Sequence, residues 1–229
     1  MAGPEYTLYS YFRSSCSARL RIALNLKSIP YTTIPTNLLK DEHLSPSHRA
    51  LNPSASVPLL VHHASAAAAA ATDFKVTQSV AALEYLEETH PSSTPLLPGA
   101  DDPRARAVVR GLVNIVACDV QPVTNLRVMR RVRALGGDAE RWNRELTADG
   151  FAAYEAVASE WAGAYSVGDH VSLADVCLLP AYWNAERFGV DLSVYPTIAR
   201  VVGNLKDHEA VARAHYFNQP DTPDELRMK

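Results

Sequence analysis

The sequence predicts an α/β unit followed by an all-α unit, and three observations carry that prediction. The first ninety residues alternate short aromatic or β-branched runs with helical periodicity. Residues 91–102 form a break rich in proline and small polar residues. Everything from residue 103 onward is helical in pattern. The expected division is therefore 1–90, a linker at 91–102, and a helical segment at 103–229.

In the first segment, Tyr6 to Phe12 suits a buried strand because aromatic residues favour the pleated surface. A polar stretch, Arg13-Ser14-Ser15-Cys16-Ser17, leads into a helix from Ala18 to Lys27, with Leu20, Ala23, Leu24 and Lys27 at helical spacing. Ile29 to Pro35 reads as extended and Ser45 to Leu51 as a short helix. Val57 to Val61 reads as a strand entered through Pro58, and Phe74 to Val76 as a brief strand before a helix from Val80 to Glu88. The order is βαβαββα, one mixed sheet covered by helices. The alanine run Ala66–Ala71 has helix propensity without an amphipathic pattern and reads as an inserted hairpin loop.

In the second segment, Asp102 can cap a helix with Pro103 at its first position. Ala105, Val108, Val109, Leu112, Ile115 and Val116 give that helix an apolar face, which Pro122 interrupts. Phe151 to Tyr165 marks a second helix broken by Gly168. Ser172-Leu173-Ala174-Asp175 reads as a capping box opening a third, very apolar helix, and Tyr195-Pro196-Thr197 opens a fourth running to about Asp207.

Composition removes several function classes. With 229 residues, 47% hydrophobic and 21% charged, the chain is too apolar for disorder. No window approaches about 18 uninterrupted strongly apolar residues, so no membrane partner is expected. A net charge of −3 argues against a nucleic-acid coat. Cys16, Cys118 and Cys177 fit neither a disulfide framework nor a metal-ligand spacing, so no metal is expected. With no leader pattern at either end, the cytosol is the expected compartment.

The turn between the first strand and helix carries the chemistry. Ser14, Ser15, Cys16 and Ser17 set three hydroxyls, a thiol and unspent backbone N–H groups at the positive end of a helix dipole, a place to hold an anion. If that anion is a thiolate, the same donors favour its ionised form; the sulfur is that of Cys16 or of a ligand. Helix capping alone also explains a serine-rich start. Two further features join it. A cis Val57-Pro58 bond would turn backbone groups outward toward an extended peptide, although an edge-strand proline needs no ligand. Gln78-Ser79 at the next helix start suits a carboxylate, although capping explains it too.

Tyr9-Ser10-Tyr11-Phe12-Arg13-Ser14-Ser15-Cys16-Ser17, Arg19, Arg21-Ile22-Ala23-Leu24, Ala50-Leu51-Asn52-Pro53, Val57-Pro58, Gln78-Ser79, Asn184-Ala185-Glu186-Arg187-Phe188 and Gln219-Pro220-Asp221-Thr222-Pro223 together resemble the zeta-class glutathione transferases, the maleylacetoacetate isomerases. The resemblance spans about residues 6 to 227. It implies a thioredoxin-like N-terminal domain that binds glutathione as cofactor, an all-helical C-terminal domain that binds the second substrate, and a homodimer. By position it implies that Ser14, Ser15 and Cys16 surround the glutathione sulfur, and that Val57, with Pro58, pairs with its cysteinyl backbone. Gln78 and Ser79 would hold its γ-glutamyl carboxylate; Gln121 and Asn125 would make further contacts, and His43 would face the tripeptide. Arg187 would bind a substrate carboxylate, with Arg13 or Arg19 assisting. The family often has tryptophan where Ala18 stands, and Arg127 stands where a small polar residue is common, adding charge near the expected glutathione site.

The implied reaction is the glutathione-dependent cis-trans isomerisation of maleylacetoacetate to fumarylacetoacetate in tyrosine and phenylalanine breakdown, with transferase activity toward small α-halo acids. The tasks are to hold a thiolate and to stabilise a developing enolate. Cys16 is expected to be accessory rather than the nucleophile. Charge offers a separate argument for a small dianionic substrate: residues 12–27 hold Arg13, Arg19, Arg21 and Lys27 with no acid, and residues 103–133 hold seven arginines against Asp119 alone. Solvated helix faces account for such runs as well. A general transferase, a maleylpyruvate isomerase, and a binding protein that has kept the fold and lost the chemistry are the competing readings.

Overall fold

A computed structural model describes residues 5–64 and 72–227 of the chain. The Ala66–Ala71 run lies outside the described residues. Two compact units form, one from Met1–Thr94 with His208–Lys229 and one from Pro95–Asp207. The last twenty-two residues, which the sequence division groups with the helical segment, thus belong to the first unit.

The first unit is a four-stranded sheet in the order β2-β1-β3-β4, made of β1 (Tyr6–Ser10), β2 (Tyr31–Pro35), β3 (Leu59–His62) and β4 (Phe74–Thr77). β1 runs parallel to β2 and antiparallel to β3, which is antiparallel to β4. Leu8, Leu59 and Leu60 are fully buried in its core. Strand β1 stops at Ser10, two residues short of the aromatic run, because Tyr11 and Phe12 leave the ladder to form a turn.

Helix α1 (Ser15–Leu26) begins three residues before the apolar periodicity does, because Ser14 caps it: its Oγ accepts from Ser17 N at 3.2 Å. α2 (Pro46–Leu51) is the short helix, and α3 (Ser79–Thr89) packs beside α1. A buried ion pair fastens the two, with Lys27 Nζ 2.6 Å from Glu87 and also donating to Ser93 Oγ and Thr94 O.

The second unit is helical: α4 (Pro103–Asn114), a π turn (Ile115–Val120), α5 (Gln121–Thr124), α6 (Leu126–Ala134), α7 (Ala139–Trp161), α8 (Leu173–Phe188) and α9 (Pro196–Leu205). One window within 103–134 is long and apolar enough to cross a membrane by composition alone. That stretch contains the π turn and a fresh start at Asn125, and it packs on α7 and α8. Pro122 sits in the first turn of α5, where its missing N–H costs nothing. Helix α7 starts at Ala139, capped by Asp138, and ends at Trp161, earlier at both ends than the aromatic spacing suggests. The Ser172–Asp175 box opens α8 as expected. Asp175 is fully buried and accepts from Ser172 N at 2.8 Å, Ser172 Oγ at 2.9 Å and Ser166 N at 2.9 Å.

Returning to the first unit, α10 (Glu209–Ala214) lies against α1, and Asn25 Nδ2 donates to Ala210 O at 2.9 Å. That bond and the packing behind it are why the C-terminal segment joins this unit.

Candidate active site

The register of the sheet collects the predicted motifs. Tyr9 of β1 is level with Leu59 of β3, and Leu59 is level with Thr77 of β4. The turn after β1, the approach to β3 and the exit from β4 therefore leave the sheet at one end. Ser14, Ser15 and Cys16, Val57 and Pro58, and Gln78 and Ser79 occupy those three connections.

Within the turn, Ser14 N donates to Tyr11 O at 2.9 Å, which closes it and aims the chain into α1. Ser17 N is taken by Ser14 Oγ and Ala18 N by Ser14 O, whereas Ser15 and Cys16 sit in the first turn of α1, where backbone N–H groups have no intrahelical acceptor. No acidic side chain occupies that turn, so the positive end of the helix is uncompensated there. Ser14, Ser15 and Cys16 are half-buried. Ser17 Oγ and Arg13 Nε are buried and meet no hydrogen-bond partner among the described residues. The Arg13 guanidinium lies 5.0 Å over the Phe12 ring.

The Val57–Pro58 bond is cis, and β3 starts only at Leu59, so the Val57 backbone lies beyond the ladder. The Val57 side chain is buried with Tyr11 and Phe12. Gln78 takes a positive φ of 69°, in the region that L-residues rarely enter, and delivers the chain into α3 with Ser79 in its first turn. Such a conformation at a helix start fits a functional constraint. His43 lies half-buried in a single 3-10 turn, Glu42–Leu44.

Two basic residues are placed otherwise than expected. Arg19 does not reach outward for a substrate carboxylate: it is 2% exposed and donates to Ser79 Oγ at 3.0 Å, tying α1 to α3. Arg21 is fully buried, donating from Nε to Ala214 O and from its two Nη atoms to Ser10 Oγ, Tyr11 O and Phe12 O. Burial pulls its pKa down to about 10, opposed by the neighbouring Tyr31 and Asp221. With Lys27 paired to Glu87, the positive run at 12–27 is mostly internal scaffolding, and Arg13 alone of its four cations is not buried. The charge argument from that segment therefore fails. Sequence reasoning also missed Asp221, whose Oδ2 accepts from Phe12 N at 2.8 Å. The quoted Gln219–Pro223 motif was the only signal for it.

In the helical unit, Gln121 opens α5. Asn125 caps α6, accepting from Val128 N at 3.0 Å and donating to Pro122 O at 2.9 Å, so both ends of its amide serve the local turn. Arg127 is exposed on α6. Arg187 is exposed in the last turn of α8; its Nη2 donates to Asn184 Oδ1 at 3.2 Å and its guanidinium lies 4.5 Å over the Phe188 ring.

Comparison with known proteins places this arrangement. The glutathione S-transferase N-terminal domain matches residues 4–88. Over 227 residues, 98% of this chain and 96% of the relative, the protein is 59% identical to a maleylacetoacetate isomerase of Aspergillus fumigatus. It is 46% identical to that of Rattus norvegicus, covering 99% of this chain and all of the relative. Among solved structures, a maleylacetoacetate isomerase from Anaeromyxobacter dehalogenans with glutathione in its active site superposes with a TM-score of 0.87 at 38% identity, covering 97% of this chain and all of that one. A bacterial zeta-class maleylpyruvate isomerase gives 0.85 at 39% identity, covering 95% and 100%. The fold is thus that of a glutathione transferase, and within that class the chain belongs to the zeta-class maleylacetoacetate isomerase family.

Proposed function

We propose that this protein is a glutathione-dependent isomerase that converts maleylacetoacetate to fumarylacetoacetate. The observation that carries the reading is the gathering, at one end of the sheet, of an acid-free helix start, a cis Val57–Pro58 approach and the Gln78–Ser79 helix start, in a chain with relatives of that activity. The donor set fits glutathione: hydroxyls and N–H groups for a sulfur anion, backbone beyond the ladder for a peptide, and a helix start for a carboxylate. Glutathione, when bound, supplies a nucleophilic sulfur that converts a rigid double bond into a rotatable single one.

The protein's own residues do the rest. Ser14 Oγ accepts from Ser17 N with one lone pair and keeps its O–H proton to donate outward, while Ser15 and Cys16 offer backbone N–H groups. Ser79, held by Arg19, presents the start of α3 to an anion. Arg187, steadied by Asn184 and the Phe188 ring, offers its guanidinium to a substrate carboxylate. Gln121, Asn125 and His43 are assigned to glutathione binding on family resemblance, whereas Arg127, which departs from the family, is assigned by its added positive charge. Cys16, Cys118 and Cys177 are thiols, which supports a cytosolic setting, and the family resemblance supports a homodimer.

The test is retention on immobilised glutathione followed by maleylacetoacetate turnover with and without the tripeptide. Retention and a strict requirement for glutathione are expected; turnover unchanged without it would overturn the reading. Solved maleylpyruvate isomerases at 39% and 33% identity favour a second reading. The ratio of kcat/KM for the two substrates separates them.

A further inference from the structure

We infer that Asp221, in the C-terminal segment, is a positioning residue for the β1–α1 turn, and that the Gln219–Thr222 knot exists to hold it there. The inference rests on the proposed role of that turn in holding a sulfur anion.

The turn is clamped from two sides. Arg21, on α1, donates to two of its carbonyls, Tyr11 O at 3.4 Å and Phe12 O at 3.0 Å. The Phe12 N–H points the other way and is met by Asp221 Oδ2 at 2.8 Å, across 209 residues of sequence. With Ser14 N closing on Tyr11 O, the turn's Tyr11 O, Phe12 N, Phe12 O and Ser14 N each have a partner, three of them through the side chains of Arg21 and Asp221.

The acceptor is itself built in. Gln219 and Thr222, 5% and 3% exposed, tie the segment into a knot. Gln219 N donates to Thr222 Oγ1, Gln219 Nε2 to Arg213 O and His215 O, and Thr222 Oγ1 to Tyr216 O. Tyr216 and Leu226 close over the buried group formed by Tyr11, Phe12 and Val57, so the same segment backs two of the three connections that form the site. Asp221 Oδ1 is buried and meets no hydrogen-bond donor among the described residues. Burying a carboxylate oxygen without a donor is unfavourable, and a residue chosen only to fill space would not be an acid. A carboxylate is retained because its other oxygen makes a charge-assisted bond to a backbone N–H, stronger than a neutral acceptor makes, and because Arg21 lies near enough to interact with its charge.

The consequence is specific. Loosening this bond frees the Phe12 amide and lets the Ser14–Cys16 donors drift, weakening glutathione binding without removing any group that touches it. Amide exchange at Phe12 reads the clamp and needs no glutathione, so it fails separately from the proposed function. In D221A, Phe12 exchange is expected to rise at least tenfold above wild type while amides of β3 keep their protection. The glutathione Kd should rise several-fold. D221N, which keeps an acceptor oxygen, is expected to recover most of the Phe12 protection. Should D221A not fold, T222V, which removes the knot's bond to Tyr216 O, takes its place with the same sign of change. Unaltered Phe12 exchange in a folded D221A or T222V, or a uniform loss of protection across the unit, would overturn the inference. If Phe12 is released while wild type binds no glutathione, the clamp stands and the proposed function falls.

Discussion

The starts of α1 and α8 use the same device, a serine just before the first helical turn, and put it to opposite ends. At α8 a carboxylate stands in the first turn and is fully engaged: Asp175 accepts from Ser172 N, Ser172 Oγ and Ser166 N, while Tyr154 donates to Ser166 Oγ at 2.8 Å, all of it buried. At α1 there is no acid in the first turn, Ser14 and Ser15 are half-buried, and helix-start N–H groups are left over. Whether a serine-capped helix start is structural or chemical thus depends on whether the protein supplies its own anion.

This contrast predicts opposite phenotypes. Removing the Ser14 and Ser15 hydroxyls at α1 (S14A/S15A) should lower kcat for isomerisation by about 100-fold or more, the scale of losing oxyanion-type donors, while the melting temperature falls by only a few degrees for one lost cap. Steady-state kinetics beside a thermal melt checks both halves. At α8, D175A should do the reverse, destabilising the fold by about 3 kcal/mol because three donors lose their acceptor. That corresponds to a fall of roughly 6–12 °C in melting temperature for a chain of this size, with kcat of the folded fraction near wild type.

A smaller effect sharpens the chemical side. R187A should raise KM for the substrate about tenfold while leaving glutathione affinity alone, since its guanidinium belongs to the second substrate's side of the reading; separate titrations of the two ligands distinguish this. The smallest effect concerns pH. Burial, with help from Arg21, holds His215 down at about 4, below its ordinary 6.5. Between those two values the unfolded chain takes a proton that the folded chain refuses, so stability is lost as pH falls from 6.5 toward 4. After allowance for solvent screening of this half-buried group, the loss amounts to about 1 kcal/mol. H215N, which keeps an acceptor for Phe217 N, should flatten that part of the stability curve in denaturant titrations at stepped pH.

Much of this was readable from the chain. Alternation of period-2 and period-3.6 runs marked all four strands and helices α1 to α3, because local burial and local periodicity agree there. The capping box at Ser172 was legible since both partners lie three residues apart. What escaped depends on distant partners. Arg19 and Arg21 look like surface charge in a list of residues, and only tertiary packing reveals that they are buried and bonded to Ser79, Ser10 and backbone carbonyls. Asp221 has no local reason to be important; its partner is Phe12. The segment after Asp207 reads as more helix, and nothing within it says that it crosses to the first unit.

The central claim is that the donors at the start of α1 keep a bound sulfur ionised. The direct measurement is a pH titration of the thiolate ultraviolet absorbance of glutathione bound to the wild-type protein and to S14A/S15A. The account predicts that bound glutathione ionises well below the ordinary thiol value of about 8.5 in the wild type and moves back toward it in the double variant. An unshifted titration in the wild type, or the same shift in both proteins, would contradict it.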